Sequence, residues 1–210
     1  MSVTIAVFAR APVVGEVKSR LIPHIGAERA AALQHAMLRR TLRTASAASP
    51  GFVSLWCAPD CMHPVFAACA AEFAVPLFAQ QGTDLGARML DAFSRLCMHG
   101  PAILIGTDCP ALIAADLCAA ADVLTGGVEA VFKPAEDGGY VLIGLARPVA
   151  SLFAAMPWGS DSVMSETRQR MRDAGMRWHE LPVSWDVDRP QDFVRLEASG
   201  LMNELQGAAE

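Results

Sequence analysis

Acidic and basic side chains fall together in four short stretches of this 210-residue chain. Asp108 sits in Gly106-Thr107-Asp108-Cys109-Pro110, directly after an apolar run. Asp186 and Asp188 flank Val187, shortly before Pro190. Lys133, Glu136 and Asp137 crowd the stretch KPAEDGGY, and Arg10, Lys18 and Arg20 share ARAPVVGEVKSRL. Magnesium is typically held by one or two carboxylates together with substrate phosphates. Arg grips a phosphate through two parallel bonds, and Lys acts as a point charge. Two carboxylates from separate stretches, with Lys and Arg from a third, would clamp a metal–diphosphate, and positioning with charge neutralisation then carries most of the catalysis. Asp108 and Asp188 are the candidate ligands for Mg2+ or Mn2+. Lys18 and Arg20, with Arg10 in the same loop, are the candidate phosphate contacts, Lys18 also stabilising the departing nucleotide. Asp137, or Glu136 beside it, would bind an acceptor hydroxyl or act as its base.

Each of these residues also has a structural reading. Asp and Pro favour turns, which suits Asp108 and Pro110. Asp188 is placed to cap a helix starting at Pro190. Asp137-Gly138 is a hairpin-turn pair, although a turn needs neither a lysine nor a second acid. Asp84 opens a helical segment and suits its N-cap; it is carried as a nucleotide-side candidate beside that role. Lys18-Ser19 looks like the end of a P-loop, but Val17 and Pro12 stand where glycines are required, and no GxGxxG is present. Trp158 suits either stacking on a sugar or base, or packing. The five histidines form no pair at ligand spacing. The six cysteines make no CxxC and read as buried small hydrophobes in a reducing compartment.

These side chains must be positioned by elements that the hydrophobic pattern predicts. Short apolar, β-branched runs give strands at 3–8, 52–57, 75–79, 101–106, 128–132, 140–145 and 177–181. Helical spacing marks 28–44, 62–71, 84–97, 114–124, 160–174 (with Ser160 as its cap) and 190–198. The 84–97 segment is the clearest, with Leu85, Met89, Phe93 and Leu96 in one stripe. Alternating strands and helices predict an α/β sandwich with a largely parallel sheet, which the 128–145 pair makes mixed. Ligands of such sheets bind beyond the carboxyl ends of the strands, where the polar stretches fall. No linker divides the chain, so residues 1–210 read as one domain. The formal charge of −5 gives no pull toward nucleic acid or anionic lipid. No apolar run approaches the roughly 20 residues of a membrane span, and Arg10 interrupts the only run that would serve as a signal peptide. A cytoplasmic protein is expected, with room for a homo-oligomer.

Taken in order, KSRL, DLGARM, GTDCP, DGGYVLIGL, WGSDSV and DVDRPQDF resemble the motif series of a bacterial family of small glycosyltransferases with the GT-A (nucleotide-diphospho-sugar transferase) fold. These are of the radical-SAM/selenodomain-associated transferase type, and some are assigned to arsenosugar biosynthesis. The resemblance runs over residues 3–196. It implies a three-layer α/β/α sandwich, a nucleotide-sugar donor and a small-molecule acceptor. The fold is similar to that of molybdopterin and phospholactate guanylyltransferases and CMP-sugar synthetases. In those enzymes an Asp after a central strand and an Asp in a VDTPED-like segment bind the metal, and these fall on Asp108 and Asp188. KSRL is similar to their phosphate-contacting element, which points to Lys18 and Arg20; Asp137 of DGGY is a substrate-side candidate. Ser19 and Ser160 stand where threonine is usual, Arg189 replaces the threonine of VDTP, and Gly106 stands where a DxD pair would place its first acid. Two alternatives accompany this reading: a guanylyltransferase-like nucleotidyltransferase joining NTP to a phosphorylated small molecule, and a non-catalytic nucleotide-binding protein.

Overall fold

A computed structural model describes residues 3–49 and 52–206. Strand β1 (Thr4–Arg10) alternates Ile5 and Val7 with Ala6 and Phe8, and all four are buried because both faces of the sheet are covered. Along the chain follow β2 (Val53–Ala58), β3 (Leu77–Ala79), β4 (Ala102–Ile105), β5 (Ala130–Pro134), β6 (Tyr140–Leu145) and β7 (Trp178–Glu180). The helices are α1 (Ile22–Ile25), α2 (Ala27–Ala48), α3 (Pro64–Phe73), α4 (Leu85–Leu96), α5 (Ala114–Thr125), α6 (Val163–Asp173), α7 (Pro190–Ala198) and α8 (Leu201–Gln206).

The strands form one seven-stranded sheet in the order β3-β2-β1-β4-β6-β5-β7. β1 pairs in parallel with β2 and β4, β2 with β3, and β5 with β7. β6 runs antiparallel to both neighbours, which makes the sheet mixed, as the 128–145 pair predicts. The strands' period-2 alternation feeds two cores. Ile5, Val7, Leu55 and Ile103 meet Leu38 and Leu42 of α2, Phe66 of α3 and Leu117 of α5 on one face. Ala6, Phe8, Trp56 and Leu104 meet Met89 and Phe93 of α4 and Met164 of α6 on the other. A third cluster joins Leu21, Leu33 and Met37 to Val187, Phe193 and Leu196. It packs the end of the first loop against the segment leading into α7.

Differences from the pattern are local. The register of β5 against β6 breaks at Lys133/Pro134, where proline has no N–H for the ladder. Beyond the break, the chain attaches to the 184 region: Glu136 N donates to the Ser184 carbonyl (3.0 Å) and Ser184 N to that of Pro134 (2.8 Å). α6 starts at Val163, later than expected, with Ser162 in the N-cap position. Ser160 is not its cap; its hydroxyl donates to the Pro157 carbonyl (2.7 Å), closing the preceding turn. Cys57, Cys69 and Cys109 are buried as expected, whereas Cys61 and Cys97 are half-buried and Cys118, facing outward on α5, is exposed. Among the described residues, no helix is long and apolar enough to cross a membrane.

Candidate active site

The chain leaves β1 through Arg10 and reaches Lys18, which adopts a left-handed backbone (φ 48°). For a non-glycine residue that conformation costs about 1–3 kcal/mol and persists only where its surroundings enforce it. Here the surroundings are two acceptors. Lys18 Nζ lies 2.6 Å from Asp108 Oδ1 and donates to the Val187 carbonyl at 2.7 Å. Its side chain is 3% exposed, against 50% for Asp108. Val187 N in turn donates to the Asp108 carbonyl (2.8 Å). Arg20, two residues on, pairs with Asp188. The loop after β1, the loop after β4 and the segment before α7 are thus tied together by the four residues that the sequence nominates for metal and phosphate.

Helix α2 braces this arrangement from behind. Gln34 Nε2 donates to Thr107 Oγ (3.0 Å), and Arg40 Nε donates to the Pro110 carbonyl (2.8 Å). Cys109 Sγ lies 3.2 Å from Ser184 Oγ, and burial pushes its thiol pKa up, so it serves as packing. The turn-forming role of the GTDCP stretch and its site role therefore coexist.

A cleft of about 670 Å³ opens at the carboxyl ends of β1, β2 and β4, and Arg10, Lys18, Arg20, Asp108, Asp186 and Asp188 all line it. Asp84 does not. Its Oδ1 accepts from Ala87 N (2.8 Å), as a helix cap does, and α4 brings Leu85 and Arg88 to the cleft instead. The N-cap alternative for Asp188 is not realised: Asp192 Oδ2 accepts from the backbone N–H of Arg189 (2.7 Å) and of Asp188 (3.2 Å). Asp188 is left to the cleft and Arg20. Asp137 lies next door, lining two adjoining cavities with Asp186, while its Oδ1 accepts from Gly139 N (2.9 Å). Its charged neighbours have structural partners. Lys133 is buried against Asp116 (2.9 Å) and Glu136 is held by Arg195 (2.6 Å).

Asp186, which the sequence reading notes beside Asp188 without giving it a role, borders the cleft and both adjoining cavities. Burial, then the nearby Asp137 and Asp108 carboxylates, push its pKa up to about 6, against the opposing pull of Lys18. The signal was present in Asp186-Val187-Asp188: with Val187 fully buried, the acids on either side are left to face the cleft. Arg88 was also missed. It donates to the Gly82 carbonyl (3.2 Å). Among the described residues neither Arg88 nor Arg10 joins an ion pair, and both line the cleft. Trp158 packs edge-on against Tyr140 (6.4 Å between centroids) and lines one adjoining cavity.

The donor chemistry fits a hard divalent cation. Asp108 and Asp188 offer carboxylate oxygens at the cleft wall, a set suited to Mg2+ or Mn2+. Among the described residues, no three His, Cys, Asp or Glu side chains form a cage of their own, so substrate oxygens would have to complete the shell.

Residues 41–160 match the family model described as "Uncharacterized protein conserved in bacteria (DUF2064)". The chain belongs to the DUF2064 family. This DUF2064 protein is 34% identical over 126 residues to a phosphoenolpyruvate guanylyltransferase of Rubrobacter xylanophilus. That match takes in 58% of the chain and spans 60% of the relative's length. A proposed nucleotide-diphospho-sugar transferase of Desulfovibrio desulfuricans G20 superposes with a TM-score of 0.80 at 27% identity, covering 99% of this chain and 97% of that one. A cytidylyltransferase of Leptospira borgpetersenii shares the fold with a TM-score of 0.64 at 16% identity, covering 95% of this chain and 87% of that one. The DUF2064 chain therefore has the α/β fold, with its mixed seven-stranded sheet, of the nucleotide-diphospho-sugar transferases.

Proposed function

We propose that the protein is a glycosyltransferase that uses a nucleotide-diphospho-sugar donor with Mg2+ or Mn2+. The observation that carries this is the tie made by Lys18, which brings Asp108 and the Asp186–Asp188 segment to one cleft. Four cations, Arg10, Lys18, Arg20 and Arg88, line that cleft, as an anionic diphosphate requires. Asp108 and Asp188 would hold the divalent cation, whose bound form supplies neutralisation of the diphosphate charge. Lys18 and Arg20 exchange their present carboxylate partners for phosphate oxygens as the donor enters. In transfer, the bond from the anomeric carbon to the diphosphate oxygen breaks, and a bond from that carbon to the acceptor forms. The arginines and Lys18 stabilise the departing charge, and Asp137 binds the acceptor's reacting group or receives its proton.

A second reading, nucleotidyl transfer from an NTP to a phosphorylated small molecule, is favoured by the similarity to the guanylyltransferase. There the α-phosphate is attacked and pyrophosphate leaves. A thermal-shift panel with Mg2+ separates the two. Saturation at 100 times Kd adds about 2.7 kcal/mol of stability, so a binding ligand is readily seen. Stabilisation by UDP-, GDP- or ADP-sugars supports glycosyl transfer, and stabilisation by free NTP alone supports the second reading. In calorimetry, Asp108→Ala is expected to lower metal-dependent nucleotide-sugar affinity by about tenfold or more. Unchanged affinity removes Asp108 from the site.

A further inference from the structure

Beside the main cleft lies a second cavity of about 240 Å³, sharing Phe8, Leu85, Gly106, Tyr140, Val141 and Asp186 with it and differing from it in chemistry. Met89, Leu104, Ile143 and Val163 line it together with the rings of Tyr140 and Trp158. No Lys or Arg lines it, and its charged residues are Asp137 and Asp186. The four cations that suit a diphosphate all belong to the main cleft. We propose that this second cavity is the acceptor subsite, and that it selects an acceptor with a compact apolar face bearing a hydroxyl or amine, and rejects one bearing a phosphate or carboxylate. This rests on the transferase reading and narrows its substrate class.

The argument is one of complementarity. Apolar area brought out of water against these side chains gains roughly 25 cal/mol per Å², and the tryptophan and tyrosine rings offer faces and edges to a ring or a compact aliphatic body. Asp137 and Asp186 are acceptors when ionised, so they receive a hydrogen bond from a hydroxyl or an ammonium group. A phosphate or carboxylate placed there meets two carboxylates and no cation in the cavity lining. Specificity of this kind comes as much from the repulsive element as from the attractive one.

Three probes that share a benzyl body test it: benzylamine, benzyl alcohol and phenylacetate. Each is titrated into the 15N-labelled protein, followed at the Trp158 indole and the Val163 amide. The expected order is benzylamine and benzyl alcohol ahead of phenylacetate by about tenfold. In the double variant Asp137→Asn/Asp186→Asn, which keeps a side-chain oxygen for the Gly139 N–H, the gap is expected to close to within about twofold. Phenylacetate binding as tightly as the alcohol in the wild type, a gap that survives the double substitution, or no response at Trp158 and Val163 to any probe overturns the proposal. GDP with Mg2+, followed at the Arg10 and Lys18 amides, reads the main cleft separately. A GDP response without the probe order removes the acceptor assignment alone. The probe order without a response to GDP, UDP or ADP, each titrated with Mg2+, removes the transferase reading and, with it, the acceptor label.

Discussion

Lys18 has one charged acceptor and one neutral one, and they respond differently to its removal. Asp108 is half exposed, so water takes over for its carboxylate. The Val187 carbonyl belongs to a fully buried residue and has far less access to replacement water. Lys18→Met, which keeps the apolar stem and relieves no backbone strain, is expected to cost about 1–3 kcal/mol, read from the urea midpoint, and to lose nucleotide affinity as well. A variant with wild-type midpoint and affinity would make Lys18 a bystander. At this scale the sequence was only partly legible. A strand-end position is visible in the pattern around Lys18, Asp108 and Asp188. Which way a side chain turns is not, because that is set by contacts more than 160 residues away along the chain, as in Lys18 with Val187 and Arg20 with Asp188. Lys usually stays solvated, and for Lys18 the Val187 carbonyl and Asp108 carboxylate override that tendency. Asp186 received no role for the same reason, since its neighbours Asp137 and Asp108 meet it only in the fold.

Elements were more legible than contacts, because burial on both faces writes an apolar run into each central strand and a stripe into α4. What was lost is what is too short to show a period: α1, with four residues, and α8, with six. The start of α6 was misplaced because Ser160 and Ser162 are both acceptable cap residues, and the turn closed by Ser160 decides between them. That turn belongs to a contact between elements. The β5–β6 loop docks on the approach to α6, with Met164 N donating to the Gly138 carbonyl (2.8 Å). Gly138 has φ 88°, and a Cβ there would sit 2.0 Å from the Asp161 carbonyl oxygen. Gly159 has a similar φ of 82° but open space around its missing Cβ. Gly159→Ala should therefore cost only the left-handed penalty, about 1–2 kcal/mol. Gly138→Ala must also push backbone against backbone, and should exceed it by at least about 1 kcal/mol. Equal urea midpoints for the two variants would show that the loop does not dock on α6 as described.

At the scale of the whole molecule, the site draws on both ends of the chain: the first loop supplies cations, and the stretch after β7 supplies Asp186 and Asp188. β7 is a three-residue edge strand, so side chains must help hold it. Arg168 of α6 grips Glu180 with two bonds, at 2.8 and 2.7 Å, and Trp178 Nε1 adds a third at 3.1 Å. These bonds, Arg168 foremost, hold the Glu180 carboxyl below the usual carboxylate range although partial burial opposes them. The unfolded chain then binds more protons than the folded one between the two pKa values, so stability rises with pH across that interval. The contribution is complete above the unfolded value of 4.5 and is lost as pH falls through the lower, folded value. Because both partners are about a third exposed, solvent screens the pair, and Arg168→Met is expected to cost only about 0.5–1 kcal/mol at neutral pH. Urea unfolding of wild type and variant should show two stability curves separated above pH 5 that converge in acid, once Glu180 is protonated in both. Curves that stay parallel through the acid limb would place the anchorage of β7 elsewhere.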